Sequence, residues 1–316
     1  PFSRHPLDHI SELWYKISMS REIDNILVSP EWLGRQLDVT PDRTNAAAGR
    51  GAAGLIVVDT RGPHEYATGH IPGAVNLPSG SLYDPHTPSS DLLPAAEVER
   101  RAAAAGIDAE SYLIFYDDSG LVPSARVFWA FENFGRDNMA LLDGGFLGWM
   151  KRSFPVERSA APDPEGDPGS QTAATTPRAA PFRATEPGRA SASREDVLAA
   201  IDDPNTVIID ARTEEEYTGR NAAHQRNGHI PGAKNVDWQK HIVDLFDPTL
   251  KRPEALRKLY ENIGLNQEKR VIVYCRTGSR SSHSYFVLRY LGFTDVRNYK
   301  RSWMEWNADE TLPVES

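Results

Sequence analysis

Residues Val271-Ile-Val-Tyr-Cys-Arg-Thr-Gly-Ser-Arg280, with the segment Ser281–Leu291 that follows, carry the strongest structural signal in the chain. The residues before the cysteine are apolar and mostly β-branched, which predicts a short buried strand. Ser281–Leu291 carries apolar residues at helical spacing, and Gly292 stands where a helix C-terminus is commonly capped. The sequence therefore predicts a strand and a helix joined by a tight loop over Cys275–Arg280.

This loop contains Cys275, the only cysteine among the 316 residues. A strand–loop–helix turn directs backbone N–H groups into one concavity and adds the positive end of the helix dipole, which lowers the pKa of a thiol. We therefore predict that Cys275 is a nucleophilic thiolate in an anion-binding loop, and that Arg276 and Arg280 add positive charge. The alternative is a buried structural cysteine, because free cysteine is among the most buried residue types.

The remaining loop residues and one distant arginine complete the predicted site. The candidate substrate-binding residues are Arg276, Thr277, Gly278, Ser279, Arg280 and Arg212. Arg212 follows a predicted strand, and it could either reach the substrate or pair with Asp210 or Glu216 as a structural bridge.

Length and composition limit the other possibilities. A chain of 316 residues predicts two domains, and 40% hydrophobic with 25% charged residues is ordinary for a soluble protein. No apolar run approaches membrane-spanning length, so we expect no membrane partner. The net charge of −9 argues against a nucleic-acid partner, and the single cysteine fits a reducing cytoplasm. An acidic protein that binds an anion needs a local positive site, and the loop is the candidate.

The chain contains an internal repeat. Asp59-Thr-Arg61 and Gly69-His-Ile-Pro-Gly-Ala74 match Asp210-Ala-Arg212 and Gly228-His-Ile-Pro-Gly-Ala233, and the second copy has an insertion at 219–226. Strands alternate with helices in both copies, which predicts an α/β fold with two domains, each a mainly parallel central sheet covered by helices. An N-terminal extension, the first domain, an extended proline-rich linker and the second domain are placed at residues 1–22, 23–156, 157–189 and 190–316.

The two copies differ at the predicted site. Asp117 occupies the position of Cys275, and Asp118-Ser-Gly120 stands where Arg276-Thr-Gly278 does. The first copy therefore keeps the scaffold but lacks both the thiol and the positive charge. We expect the first domain to be catalytically inactive and the second to carry the chemistry.

The repeated motifs and the Cys275–Arg280 loop resemble the tandem-domain rhodaneses, the thiosulfate and 3-mercaptopyruvate sulfurtransferases, over about residues 24–316. The resemblance implies an inactive first domain, often with aspartate at the cysteine position. It also implies that Cys275 takes a sulfane sulfur from a donor, becomes a persulfide and passes the sulfur to an acceptor such as cyanide or a thiol. This double displacement needs no metal and no organic cofactor, so we expect neither, and we expect a monomer.

The loop also bears on the identity of the donor. A loop of the form Cys-Arg-x-Gly-x-Arg resembles the thiosulfate-using members of the family, and positive charge at Arg276 and Arg280 favours a dianion such as thiosulfate. The alternative donor, 3-mercaptopyruvate, carries a carboxylate that an arginine pair would bind. The second position of that pair is Glu216 here, although Arg220 or Arg226 in the insertion could substitute.

Three alternatives remain beside this interpretation. A cysteine-dependent phosphatase would have its arginine six positions after the cysteine, where this chain has Ser281. A non-catalytic module that binds a partner protein would not need a thiol between two arginines, and a peroxide sensor would lack a resolving cysteine.

The chain departs from the family at Lys300-Arg301, where Asp-Gly is usual. The two positive charges either strengthen anion attraction or form a solvated edge.

Overall fold

The fold is described from a computed structural model that covers residues 26–41, 54–87, 91–159, 180–185, 188–220 and 226–316. The predictions for the N-terminal extension and for most of the linker lie outside these residues. The described helices are all too short or too polar to cross a membrane.

The first half contains five strands and five α-helices among its described residues. In chain order they are β1 (Leu27–Val28), α1 (Pro30–Gln36), β2 (Leu55–Asp59), α2 (Pro63–Thr68), β3 (Val75–Asn76), α3 (Ala95–Ala104), β4 (Tyr112–Tyr116), α4 (Val122–Asn133), β5 (Met139–Leu142) and α5 (Gly145–Lys151). A 3₁₀ turn over Ser79–Leu82 follows β3.

The second half repeats most of this order. Its elements are α6 (Arg194–Ala200), β6 (Thr206–Asp210), α7 (Glu214–Tyr217), β7 (Lys234–Asn235), α8 (Pro253–Glu261), β8 (Arg270–Tyr274), α9 (Ser279–Tyr290), β9 (Val296–Asn298) and α10 (Ser302–Ala308). A 3₁₀ turn over Trp238–His241 follows β7, as the corresponding turn follows β3.

Each half forms its own parallel sheet. The strand order is β1-β5-β4-β2-β3 in the first sheet and β7-β6-β8-β9 in the second. All the pairings between these strands are parallel; β4 is the central strand of the first sheet, and β8 is one of the two inner strands of the second. The predicted α/β class with two parallel, helix-covered sheets is therefore confirmed.

The alternation of side chains along β8 explains how the two halves meet. Ile272 and Tyr274 point into a core that belongs to the second domain alone. Val271, Val273 and Cys275 point to the other face, into a core that includes residues of both domains. Because side chains alternate between the two faces of a strand, the cysteine must lie on the face that the first domain helps to cover.

Helices α4 and α9 form the main contact between the domains. Phe128 of α4 meets Phe286 of α9 edge to face, with ring centroids 5.1 Å apart. Beside them the buried Glu132 carboxylate accepts hydrogen bonds from the Tyr285 hydroxyl, at 2.7 Å, and from the Arg289 guanidinium, at 2.9 Å. An apolar pair and a hydrogen-bonded carboxylate thus join the half that contains Cys275 to the half that has no cysteine.

The end of the predicted linker is packed rather than draped over the surface. Phe182 is buried against Phe131 of the first domain, with ring centroids 5.4 Å apart. Pro181 forms an isolated bridge with Asp108. An aromatic side chain within the linker therefore anchors its last part, because burying the ring is favourable wherever the domain offers an apolar surface.

Candidate active site

Cys275 follows the last residue of β8, at the carboxyl end of the central strand of the second sheet. Its side chain is buried, with 1% of its surface exposed. Its own N–H donates to the Ser302 hydroxyl at 3.1 Å, and its carbonyl accepts from the Trp303 N–H at 3.1 Å. The nucleophile candidate is therefore held on both sides of its backbone by the segment that begins α10.

The loop curls back so that backbone donors face the sulfur. The Gly278 N–H lies 3.2 Å from Sγ of Cys275, and the Ser281 hydroxyl lies 3.5 Å from it. Gly278 has φ +88°, and a Cβ atom at that position would lie 2.3 Å from the Lys300 carbonyl oxygen. Glycine is thus required here for both its backbone conformation and its close approach. Helix α9 begins directly after it, two residues earlier than the sequence pattern predicted.

Polar side chains of α9 and β9 support the glycine from behind. The Ser282 hydroxyl donates to the Gly278 carbonyl at 2.7 Å, and the Asn298 amide donates to the same carbonyl at 3.2 Å. The Ser281 hydroxyl donates to the other end of the Asn298 amide at 2.7 Å. These side chains are completely buried, so the network fixes the loop rather than meeting solvent.

The surroundings lower the pKa of the Cys275 thiol. Burial alone would raise it, because a thiolate is poorly solvated in the protein interior. The positive charge of Arg280 and hydrogen bonds from Ser281 and Thr277 act in the opposite direction and outweigh burial. The geometry thus favours a thiolate, the reactive form of cysteine.

The guanidinium group of Arg280 is paired with a carboxylate. Its guanidinium forms a two-pronged ion pair with Glu216 of α7, at 2.6 and 2.9 Å. Burial acts to raise the pKa of Glu216, but the hydrogen bonds and charge of Arg280 lower it to about 2. From the sequence, Glu216 is a possible partner of Arg212, but in the structure it pairs with Arg280. Its partnership with Arg280 joins residues that are distant in the sequence and that no local pattern connects.

We expect Arg280→Ala to shift the alkylation-versus-pH curve of Cys275 to higher pH. The substitution removes the positive charge that lowers the thiol pKa and leaves the Glu216 carboxylate without this partner. At neutral pH the alkylation rate should fall on the order of tenfold, because less of the thiol is ionised. Arg276→Ala is the matched control, since the Arg276 side chain is exposed, and it should have a smaller effect. Equal curves for wild type and Arg280→Ala would contradict the role assigned to Arg280.

The other loop residues are less buried than the cysteine. Arg276 is exposed, and Thr277 and Ser279 are half-buried. The Arg276 carbonyl accepts the Met304 N–H at 3.1 Å, so the backbone of this residue is fixed although its side chain reaches solvent. Of the predicted loop residues, Thr277 and Gly278 thus donate backbone hydrogen bonds to the Cys275 sulfur, and Arg280 contributes positive charge.

Arg212 is held by Asp210, which is one of the two alternatives left open by the sequence. Its Nε and Nη2 atoms donate to the Asp210 carboxylate at 3.0 and 2.6 Å, and Nη2 also donates to the Gly228 carbonyl at 2.8 Å. The guanidinium carbon lies 4.4 Å from the centre of the Trp303 ring. The side chain is fully buried, and its Nη1 atom has no hydrogen-bond partner within the described part of the chain.

The other basic residues considered in the sequence analysis lie elsewhere. Arg220 pairs with Glu214 at 3.0 Å on the surface, and Arg226 donates to backbone carbonyls near the C-terminus, including that of Trp306 at 2.8 Å. Neither contacts the loop in the structure. The rest of the insertion, 221–225, lies outside the described residues.

Lys300 and Arg301 are bound to the first domain instead of lying free beside the loop. Asp91 accepts from Arg301 at 2.7 Å and lies 3.7 Å from the Lys300 ammonium nitrogen. Glu305 forms a further ion pair with Arg301 at 3.0 Å. Both positive charges are thus paired with carboxylates at the domain contact, and the Arg301 side chain stays 47% exposed there, as a solvated edge would be.

Ser302 is a site residue that the sequence analysis did not single out. It has φ +53°, an unusual conformation for serine, and its hydroxyl donates to the Tyr299 carbonyl at 2.7 Å while accepting the Cys275 N–H. Gly145 occupies the matching place in the first domain, with φ +55°. Comparison of the two copies at this position could have revealed the residue, because a serine replaces a glycine at a positive φ only at a cost.

The corresponding loop of the first domain is filled by its own side chain. The Asp117 carboxyl group accepts hydrogen bonds from the N–H groups of Ser119, Leu121 and Ser124, at 2.6, 3.2 and 2.9 Å. Burial raises the pKa of Asp117, and the hydrogen bonds from Ser124 and Ser119 reduce this shift. The first loop thus shows an acid group seated where backbone donors converge.

Comparison with known proteins supports the same interpretation. The family model "Rhodanese-like domain" matches twice, at residues 40–152 and 193–309. A protein of Mycolicibacterium smegmatis named "Putative thiosulfate sulfurtransferase" is 36% identical over 79% of this chain and 87% of its own length. The "Sulfur carrier protein TtuD" of Thermus thermophilus is 34% identical over 79% of this chain and 86% of its own length.

A solved structure agrees with the architecture. SseA of Escherichia coli, described as a 3-mercaptopyruvate sulfurtransferase with the rhodanese fold, superposes with a TM-score of 0.69 and 27% identity, over 88% of this chain and 99% of SseA. The two matched regions contain every strand of the two parallel sheets except β1, and the second region contains the Cys275 loop. The chain therefore belongs to the rhodanese family of sulfurtransferases and carries two rhodanese-like domains in tandem.

Proposed function

We propose that this protein transfers a sulfane sulfur from thiosulfate to a thiophilic acceptor, cyanide or a thiol, through a persulfide on Cys275. The observation that carries the proposal is the buried thiol whose pKa is lowered inside a ring of backbone donors. A thiolate at this position is a strong nucleophile, and the loop provides hydrogen bonds for an anion that forms on it.

Two displacements at sulfur complete the reaction. The Cys275 thiolate attacks the outer sulfur of thiosulfate, the S–S bond of the donor breaks, and sulfite leaves with the bonding electron pair. The acceptor then attacks the outer sulfur of the persulfide, and the cysteine leaves as the thiolate with which the cycle began. No electrons are gained or lost overall, so the residues of the loop suffice for the chemistry.

The first domain indicates which donors would hold the persulfide. The outer sulfur of a cysteine persulfide is two bonds from Cβ, as the carboxyl oxygens of Asp117 are. The N–H groups that bind Asp117 belong to Ser119, Leu121 and Ser124, whose counterparts are Thr277, Ser279 and Ser282. The Ser282 N–H already donates to the Gly278 carbonyl at 3.2 Å. We therefore assign the N–H groups of Thr277 and Ser279 to the outer sulfur.

The ion pair between Arg280 and Glu216 favours thiosulfate over 3-mercaptopyruvate as the sulfur donor. Both of its terminal nitrogens are engaged by Glu216, so its fork is not available for the carboxylate of mercaptopyruvate. Thiosulfate needs no such fork, because its charge is spread over a compact group that backbone donors can surround. The name of the mycobacterial relative points to thiosulfate, whereas SseA represents the other donor. A 3-mercaptopyruvate sulfurtransferase is thus the second candidate.

The same contacts argue against the remaining alternatives. A phosphatase needs an arginine that folds over a phosphoryl group, and the arginine at the end of this loop is bound to Glu216. A module that only binds partners has no need for a thiol with a lowered pKa between backbone donors. Both alternatives predict that the protein carries no labile sulfur.

We expect thiosulfate, supplied without an acceptor, to add the mass of one sulfur atom to the protein, and cyanide to remove it. Single-turnover loading followed by intact-mass spectrometry measures the rate for each donor. Because Arg280 is engaged by Glu216, loading by thiosulfate should be faster than loading by 3-mercaptopyruvate, by about tenfold or more. Turnover without the sulfur adduct would contradict a mechanism through a Cys275 persulfide. Faster loading by 3-mercaptopyruvate would favour the second candidate function, a 3-mercaptopyruvate sulfurtransferase.

A further inference from the structure

The buried arginine behind the catalytic loop has one unused donor. Arg212 is fixed by Asp210 and by the Gly228 carbonyl through Nε and Nη2, whereas Nη1 is buried without a partner among the described residues. A charged donor withdrawn from water and left unpaired is costly. Such an atom calls for an explanation beyond the structural ion pair with Asp210.

The first domain contains the same arginine with this donor satisfied. Arg61 binds Asp59 and the Gly69 carbonyl as Arg212 binds Asp210 and the Gly228 carbonyl. Its Nη1 atom additionally lies 3.4 Å from the Asp118 carboxylate. Stacking on an aromatic ring does not account for the difference, because Arg61 also lies over a ring, that of Phe146, at 4.0 Å.

The catalytic domain reverses the charge at this place. The counterpart of Asp118, the residue after the loop's first position, is Arg276. The second domain therefore has an exposed arginine at the sequence position whose carboxylate pairs with the buried arginine in the first domain. Arg61 Nη1 has an anionic partner there, whereas Arg212 Nη1 has none among the described residues and the residue at the matching position, Arg276, is itself positively charged.

We propose that the sulfonate group of the sulfur donor occupies the place of this missing carboxylate. One of its oxygens accepts a hydrogen bond from Nη1 of Arg212, and Arg276 contributes charge from the solvent side. This inference rests on the proposed function. It assigns a binding site to the sulfonate end of the donor, the part that leaves as sulfite. Because Asp210 already fixes the guanidinium, the hydrogen bond requires no ordering of Arg212, and burial strengthens its attraction for an anion.

Arg276→Asp tests the proposal, because it recreates the arrangement that the first domain shows to be stable. The introduced carboxylate should pair with Nη1 of Arg212 and exclude the sulfonate. The melting temperature should rise by a few degrees, and the KM for thiosulfate should rise at least about tenfold more than in the neutral control Arg276→Asn. A loss of electrostatic steering alone would raise KM without stabilising the protein. An unchanged or lower melting temperature, or equal KM values in the two variants, would overturn the proposal.

A binding measurement separates this inference from the proposed catalytic cycle. Sulfite, titrated calorimetrically into Cys275→Ser protein and into Cys275→Ser with Arg276→Asp, requires no turnover. We expect binding by the first protein and at least about tenfold weaker binding by the second. Equal affinity would overturn the subsite even if the persulfide forms, whereas the expected difference would support it even if the physiological donor is not thiosulfate.

Discussion

Replacing Cys275 with serine is expected to reduce sulfur transfer by at least about 10³-fold and to abolish the sulfur adduct. The loop lowers the pKa of the Cys275 thiol, but the same contacts leave a hydroxyl un-ionised, and a neutral hydroxyl is a poor nucleophile toward sulfur. Steady-state turnover with thiosulfate and cyanide, together with intact mass, measures both effects. Serine is close in size to cysteine, so the circular dichroism spectrum and melting temperature should change little.

Asp117→Ala is the matched control in the other half of the molecule. Asp117 occupies the equivalent position but has no thiol, so the turnover of the folded protein should stay nearly unchanged. The melting temperature should fall, because three backbone N–H groups lose their acceptor. Turnover that survives in Cys275→Ser, or that disappears in folded Asp117→Ala, would show that the chemistry is not confined to the second domain.

Gly278→Ala is expected to have the second-largest effect. The added Cβ atom would lie 2.3 Å from the Lys300 carbonyl oxygen, and alanine would have to adopt φ +88°. The loop must therefore shift, which moves the Gly278 N–H away from the sulfur of Cys275. We expect a loss of about 2–4 kcal/mol in the free energy of unfolding and a fall in kcat of at least about a hundredfold.

Gly264→Ala is a control that separates the cost of a positive φ in alanine from the cost of a steric clash of the added Cβ atom. Gly264 also has a positive φ, +79°, but an added Cβ atom would have no neighbour within 4 Å among the described residues. It should cost only about 1 kcal/mol and leave kcat unchanged. Chemical denaturation and steady-state kinetics compare the two variants directly. Similar losses of kcat in both would show that the close approach of Gly278 to Lys300 is not what shapes the site.

The repeated elements of the fold were predictable because their signals are local. The apolar runs Leu55–Asp59 and Tyr112–Tyr116 coincide with strands, and Ser29, a residue type that favours helix N-caps, accepts a hydrogen bond from the Trp32 N–H at the start of α1. The two-residue edge strands, such as Val75–Asn76, were not predicted. A strand of two residues has no periodicity, and only its pairing with a neighbour defines it.

The site was predictable where residues are adjacent in the chain and not where they meet from afar. The Cys275–Arg280 loop could be read from its composition, whereas the pairing of Arg280 with Glu216 and of Arg301 with Asp91 joins distant segments. The sequence shows Arg280 and Arg301 only as positive charges. In the folded chain each of these two arginines is paired with a carboxylate. A single sequence gives no measure of such pairings, because any of its many acidic residues is an equally good partner before the fold is known.

The contact between α4 and α9 has a consequence for the second half of the chain on its own. Helix α9 carries the Cys275 loop at its N-terminal end and rests on Phe128 and Glu132 of the other domain. A fragment consisting of the second half alone would expose Phe286 to water and would leave Tyr285 and Arg289 without the carboxylate that they share. We therefore expect such a fragment to aggregate unless another surface covers α9 in place of α4.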